Sequence, residues 1–203
     1  MKNISTIFFD FDGVLCKDRF YQKLKFDHKE VLDFISTVVF GSESDIPDLW
    51  MKNIWSYKDV NIYISQNTSI DYDLLTDLFI QGIYEMELDK DLLNFADDLK
   101  KRWKNIGLIT NNMDIFNEIT RVHYNLDSVF PLIINSSDYW LLKHEQNWEL
   151  FDIAMRKIWG FFSDTLMIDD SSKVYKVFTD KWWICYKYDN YKNFAKRFER
   201  NIY

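Results

Sequence analysis

The chain has 203 residues, 47% of them hydrophobic and 28% charged, enough for one sizeable core or one core plus a small insert. Its net charge of −7 argues against nucleic acid or an anionic membrane as partner, and any anion site must be corrected locally by a metal ion or a lysine. Gly and Pro number only 5 and 2, which argues for long regular elements, and the widely separated Cys16 and Cys185 suit reduced thiols in the cytoplasm.

The first apolar run, Ile4–Phe9, reads as a buried strand. It lies in MKNISTIFFDFDGVL, where Asp10 and Asp12 interrupt the apolar stretch, so neither a signal peptide nor a membrane span is expected. From about Cys16 to about Glu87 no run reads as a strand, whereas helical patterns cover Lys29–Phe40, Pro47–Ser56 and Tyr72–Tyr84. A connection of that length is too long for a plain crossover, so residues 17–87 are expected to form a small helical cap over the strand ends. Asp89–Trp103 then reads as a long helix returning the chain to the sheet.

Four further runs, Ile106–Thr110, Val129–Ile134, Thr165–Ile168 and Trp182–Tyr186, alternate with helical patterns at Met113–Tyr124, Asn147–Trp159 and Ser171–Phe178, with Asn190–Arg200 closing the chain. Short continuous apolar runs suit strands buried on both faces. The expected fold is a doubly wound, Rossmann-like α/β core of residues 1–16 and 88–203, with its ligand at the carboxyl ends of the strands.

Chemistry concentrates at those ends. In FFDFDGVL, alternation along an extended segment directs the carboxylates of Asp10 and Asp12 the same way, and Gly13 permits a tight turn. Two such carboxylates repel unless a cation neutralises them, and hard oxygen ligands suit Mg²⁺. An acidic loop after a strand would account for one aspartate more readily than for two. Asp169 and Asp170 close the fourth run in TLMIDDSS, where they serve either a shared metal site or as helix-start residues. Adjacent side chains diverge in a strand, so one direct ligand is expected from this pair.

Thr110, Asn111 and Asn112 end the second run in LITNN, as a phosphate contact or as ordinary turn and cap residues. Lys143, in SSDYWLLKHEQNW, gains weight from its company: a cation among carboxylates can hold both a nucleophile and a phosphoryl oxygen. Trp50, Trp55, Trp182 and Trp183 read as core residues, and His28, His123 and His144 show no metal-ligand spacing.

Taken in order, DFDGVL, LITNN, SSDYWLLK and TLMIDDS resemble the four motifs of the haloacid dehalogenase superfamily of phosphatases, in the subclass with a helical cap after the first motif. The resemblance implies that Asp10 attacks phosphorus to form an aspartyl-phosphate, and that Asp12 protonates the leaving oxygen and then activates water. It implies Mg²⁺ held by the Asp10 side chain, the Asp12 backbone carbonyl and an acidic residue of the fourth motif. Asp170 is favoured for that role, with Asp169 behind it or binding through water. It also implies that Thr110, Asn111 and Lys143 bind the phosphoryl group of a small phosphorylated metabolite.

The chain departs from the family pattern at Trp140, where glycine is common, and at His144, where proline is common. It departs again in a loop after Lys143 that is about two residues longer than usual, and at Ser171, where an acid is frequent. A phosphomutase on the same core, or a catalytically silent binding protein with this fold, are the alternatives to a phosphohydrolase.

Overall fold

The computed structural model describes residues 4–181 and 183–199. Trp182, at the start of the expected last strand, and Arg200, at the end of the expected last helix, lie outside the described residues. Five strands form one parallel sheet: β1 (Thr6–Phe9), β2 (Asn105–Thr110), β3 (Leu132–Asn135), β4 (Thr165–Asp169) and β5 (Ile184–Lys187), in the order β3-β2-β1-β4-β5. Strand order reverses at β1, which pairs with β2 on one edge and β4 on the other. Loops leaving β1 and its neighbours therefore diverge and open a crevice at their carboxyl ends.

The helices in chain order are α1 (Leu24–Asp27), α2 (Lys29–Phe34), α3 (Ile46–Met51), α4 (Tyr57–Asn67), α5 (Tyr72–Tyr84), α6 (Lys90–Lys101), α7 (Arg121–His123), α8 (Ser136–Tyr139), α9 (Glu149–Ile158), α10 (Ser172–Asp180) and α11 (Tyr191–Phe194). Turns of π-helix extend α2 through Val39, precede α7 from Phe116 and follow α11. Successive residues of β1 feed opposite faces, as a strand's period of two requires. Ile7 and Phe9 pack with Phe95, Phe130 and Phe194 on one side, and Phe8 packs with Phe151, Met155 and Phe178 on the other. Gly107, opposite Phe8 in the register, leaves room for that ring: a Cβ there would lie 2.6 Å from it.

Among the described residues, 17–87 contain no strand, and α1 to α5 lie in this stretch. The chain leaves and re-enters the sheet domain side by side. Asp89 N–H donates to Leu15 O at 2.8 Å, and Asp18 accepts from Glu87 N–H at 2.6 Å. The insert packs around Tyr21, Trp50, Leu75 and Phe79, all fully buried, and one apolar cluster runs from these residues into the sheet.

The helix expected over Pro47–Ser56 ends at Met51, and a separate helix, α4, follows it. The break falls at Asn53, whose φ of 55° is left-handed. Ser56 and Asp59 form a reciprocal capping box that starts α4, a local signal that the crowded β-branched and aromatic residues after it obscure.

Several polar ties help dock the insert on the sheet domain. Asp114 accepts from the Trp50 indole at 2.8 Å and from the Tyr57 backbone N–H at 3.0 Å. Ser136 Oγ donates to Met51 O at 2.7 Å, and Lys52 pairs with Glu145 at 2.7 Å. Removing the shared acceptor in Asp114→Ala strands a buried indole N–H, at a cost of about 1–3 kcal/mol. Thermal unfolding should show a midpoint lower by roughly 2–10 °C, with Asp114→Asn closer to wild type. Equal midpoints for wild type and the alanine variant would mean that Asp114 does not help to hold the insert in place.

Candidate active site

Asp10 is the first residue beyond β1. Its backbone N–H continues the sheet by donating to Ile168 O at 2.9 Å, and its Oδ1 accepts from Phe11 N–H at 2.8 Å. The chain then folds into a tight loop, with the N–H groups of Leu15 and Cys16 both donating to Phe11 O. Gly13 turns this loop at φ 77°, and a Cβ on it would sit 2.1 Å from Asp170 Oδ2. The glycine is thus required twice, for the left-handed turn and for the approach of the β4 end to the β1 end.

Lys143 reaches this edge from the segment after α8. It is 4% exposed, and its Nζ donates to Asp10 Oδ2 at 2.6 Å and to Asp169 Oδ2 at 2.8 Å. Its backbone N–H donates to Asn111 Oδ1 at 2.7 Å, so the end of β2 also holds it. Glu145 steadies the same segment by accepting from Leu142 N–H at 2.9 Å while pairing with Lys52 of the insert.

The unusual residues of this segment have local explanations. Trp140 has φ 52° at the end of α8, a conformation glycine adopts without strain, and its side chain is 66% exposed. The residues beyond Glu145 are absorbed by a left-handed turn at Gln146, Asn147 and Trp148, with φ of 45°, 56° and 72°.

The acidic pair of β4 divides as its geometry requires. Asp169 is fully buried, one oxygen taken by Lys143 and the other accepting from Ser171 N–H at 2.8 Å. Asp170 is exposed and lines a cavity of about 190 Å³ with Asp10, Asp12, Asn111 and Lys143. That volume holds roughly six waters at about 30 Å³ each, room for a phosphoryl group beside a hydrated ion. Asp10, Asp169 and Asp170 each bring an oxygen within 4.8 Å of the others, a spacing one cation could share.

Electrostatics reflect the crowding. Burial pushes Asp10 well above the usual carboxylate range, against Lys143 and reinforced by Asp169. Burial pushes Asp12 up to about 6, opposed by Arg19 and Lys143. Asp170 is raised by burial and then by Asp169. Burial works against the charge on Lys143, but Asp10 and Asp169 outweigh it and raise its pKa. The thiols of Cys16 and Cys185 are each pushed up to about 12, mainly by burial, which leaves neither as a ready nucleophile.

All the residues singled out in the sequence gather at this edge, with one difference in depth. Thr110 is fully buried beneath the cavity rather than on its wall, and its hydroxyl has no hydrogen-bond partner. Arg19, His144, Ser171 and Lys173 also line the cavity, and none had been given a role from sequence. Asn112, which the sequence offers as a phosphate contact or a turn residue, instead donates its amide to Asp12 Oδ2 at 2.9 Å. Its adjacency to Asn111 was the visible signal. Arg19 had none, because it sits in the insert and reaches the site through the fold alone.

Lys143→Met should leave two buried carboxylates without their cation, a loss of about 3–5 kcal/mol. The unfolding midpoint of the metal-free protein should fall on the order of 10 °C. A midpoint within 2 °C of wild type would show that the pair is not held by this charge.

No family model matches the chain, and no curated protein matches it. Solved structures do. A predicted HAD-like family hydrolase from Porphyromonas gingivalis superposes with a TM-score of 0.70 at 18% identity, covering 97% of both chains. A HAD family enzyme from Bacteroides thetaiotaomicron, an aspartate-to-alanine mutant in complex with magnesium and inorganic phosphate, gives 0.75 at 15% identity over 95% of this chain and 98% of that one. The L-2-haloacid dehalogenase of Xanthobacter autotrophicus gives 0.58 at 12% identity over 82% and 70%. With its five-stranded parallel sheet and the insert after β1, the chain has the fold of the haloacid dehalogenase-like hydrolases.

Proposed function

We propose that the protein is a Mg²⁺-dependent phosphomonoester hydrolase working through an aspartyl-phosphate on Asp10. The observation that carries this reading is the pairing of Lys143 with both Asp10 and Asp169 beside the Asp170 carboxylate, at the edge of a cavity also lined by Asp12. The donor set suits a hard divalent cation. Three carboxylates converge, and the orphaned Thr110 hydroxyl suits a phosphoryl oxygen. Asp10, Asp170 and the backbone carbonyl of Asp12 would hold Mg²⁺, and Asp169, with both oxygens engaged, would orient Lys143. When bound, the ion supplies neutralisation of the phosphoryl oxygens, without which a carboxylate would not approach a dianion.

The chain's own residues do the rest. One oxygen of Asp10 forms a bond to phosphorus as the bond to the leaving oxygen breaks, while Lys143 stabilises charge on the equatorial oxygens. Asp12 gives its proton to the departing alcohol, held in orientation by the Asn112 amide. Water then attacks the phosphorus of the acyl phosphate. Asp12 takes the water's proton, the bond to Asp10 breaks, and inorganic phosphate leaves with the carboxylate restored. Two displacements replace one hydrolysis, and the same carboxyl group serves as acid and then as base. In this reading residues 17–87 act as a cap over the site, which the position of Arg19 on the cavity wall supports.

The acid at position 12 favours phosphate esters over haloacids, since expulsion of a halide needs no proton donor. Hydrolysis of acetyl phosphate should require Mg²⁺ and stop with EDTA. Asp10→Asn should lose turnover entirely. Asp12→Asn should accumulate one phosphate per chain with an activated ester, visible in the intact mass after quenching. Phosphate on a residue other than Asp10, or near-normal turnover by Asp10→Asn, would exclude the covalent route.

A further inference from the structure

A second cavity, about 660 Å³, meets the catalytic one, and Asp12, Arg19 and Asn111 lie on the walls of both. Its size falls within the range of small-molecule sites. Its position is determined by Asp12. An alcohol that takes a proton from that carboxyl group stands beside Asp12, and Asp12 lies on the wall of this second cavity as well as of the first.

Much of the wall of this second cavity is apolar. Phe20, Leu32, Ile35, Phe40 and Met51 come from the insert and Met113 from the segment after β2. Its polar groups are Asp12, Arg19 and Asn111 at the catalytic end, the half-buried Asp18, whose Oδ2 accepts from Glu87 N–H, and the exposed Gln22, Lys25 and Ser36. The apolar part of the wall offers no donors or acceptors to a polyhydroxylated leaving group losing its water, and an apolar body loses nothing there.

On the reading of the site as a phosphomonoesterase, we infer that the substrate carries an apolar leaving group, an aromatic or branched aliphatic alcohol, rather than a sugar or polyol. The phosphoryl group sits against Lys143, the ester oxygen faces Asp12, and the apolar body fills the space between the insert and β2. Arg19 stands at the junction, on the walls of both cavities.

The test compares 2-phenylethyl phosphate with glycerol phosphate and glucose 6-phosphate in the Mg²⁺-loaded protein. All three can release a primary alcohol, so differences report the cavity rather than leaving-group acidity. Acetyl phosphate, too small to reach the second cavity, reports the chemistry alone. The phenylethyl ester should show kcat/KM at least tenfold higher than either polar ester. Phe40→Ser should narrow that gap at least fivefold, mainly by raising KM for the apolar ester. Equal values, or a preference for the polar esters in protein that hydrolyses acetyl phosphate, would overturn the inference and leave the hydrolase reading intact. If acetyl phosphate is not hydrolysed, the hydrolase reading fails, and calorimetry with Asp10→Asn and Mg²⁺ decides the cavity's preference. At least tenfold tighter binding of 2-phenylethyl phosphate than of glycerol phosphate supports it, and equal binding overturns it.

Discussion

The arrangement of the site depends on one ammonium group. Lys143 Nζ lies between Asp10 and Asp169, both almost fully buried and contributed by adjacent parallel strands. Without a cation there, the carboxyl ends of β1 and β4 would repel each other at the place where the sheet brings them closest. The fold creates this crowding, because parallel strands in register deliver the residues after β1 and β4 to the same height. It then relieves it by routing the β3–α9 connection back across the sheet edge. Gly13 belongs to the same constraint, since only an absent side chain lets Asp170 come this close.

That connection is itself held by groups far from it in sequence. Asn111 accepts from the Lys143 backbone, Glu145 closes the turn, and Lys52 of the insert pairs with Glu145. The docking contacts of the insert therefore run into the segment that carries the cation. Asp114 works in the same way, starting the helix after β2 while accepting from Trp50 and Tyr57. The segment that carries Lys143 and the insert thus share supports.

Where the chain departs from the pattern of the family that its motifs resemble, backbone conformation explains what changed. Trp140 occupies a left-handed position that suits glycine, and its side chain escapes conflict by pointing into solvent. The added length after Lys143 is taken up by three consecutive left-handed residues, so α9 still begins in time to pack on β2 and β3. Asp10, Asp12 and Lys143 meet at the sheet edge despite these changes.

Much of this was legible before any fold. Runs of buried residues as long as a strand marked the five strands, because a parallel sheet covered on both faces demands apolar side chains in both directions. Asp10, Asp12, Asp169 and Asp170 stood out because like charges at strand ends need a reason. The boundary between α3 and α4 did not stand out, since a left-handed asparagine and a capping box differ little in composition from helix interior. Residue chemistry did not separate Asp169 from Asp170, and only the motif resemblance favoured Asp170. Adjacent residues have the same chemistry, and only the tertiary structure decided which one is buried against Lys143 and which faces the cavity. Arg19 and the apolar cavity were likewise beyond reach, because they arise where residues distant in sequence meet. Residue type and spacing determined what chemistry the chain could carry, and packing decided which groups would be dry, which would be paired, and what shape of molecule could stand beside them.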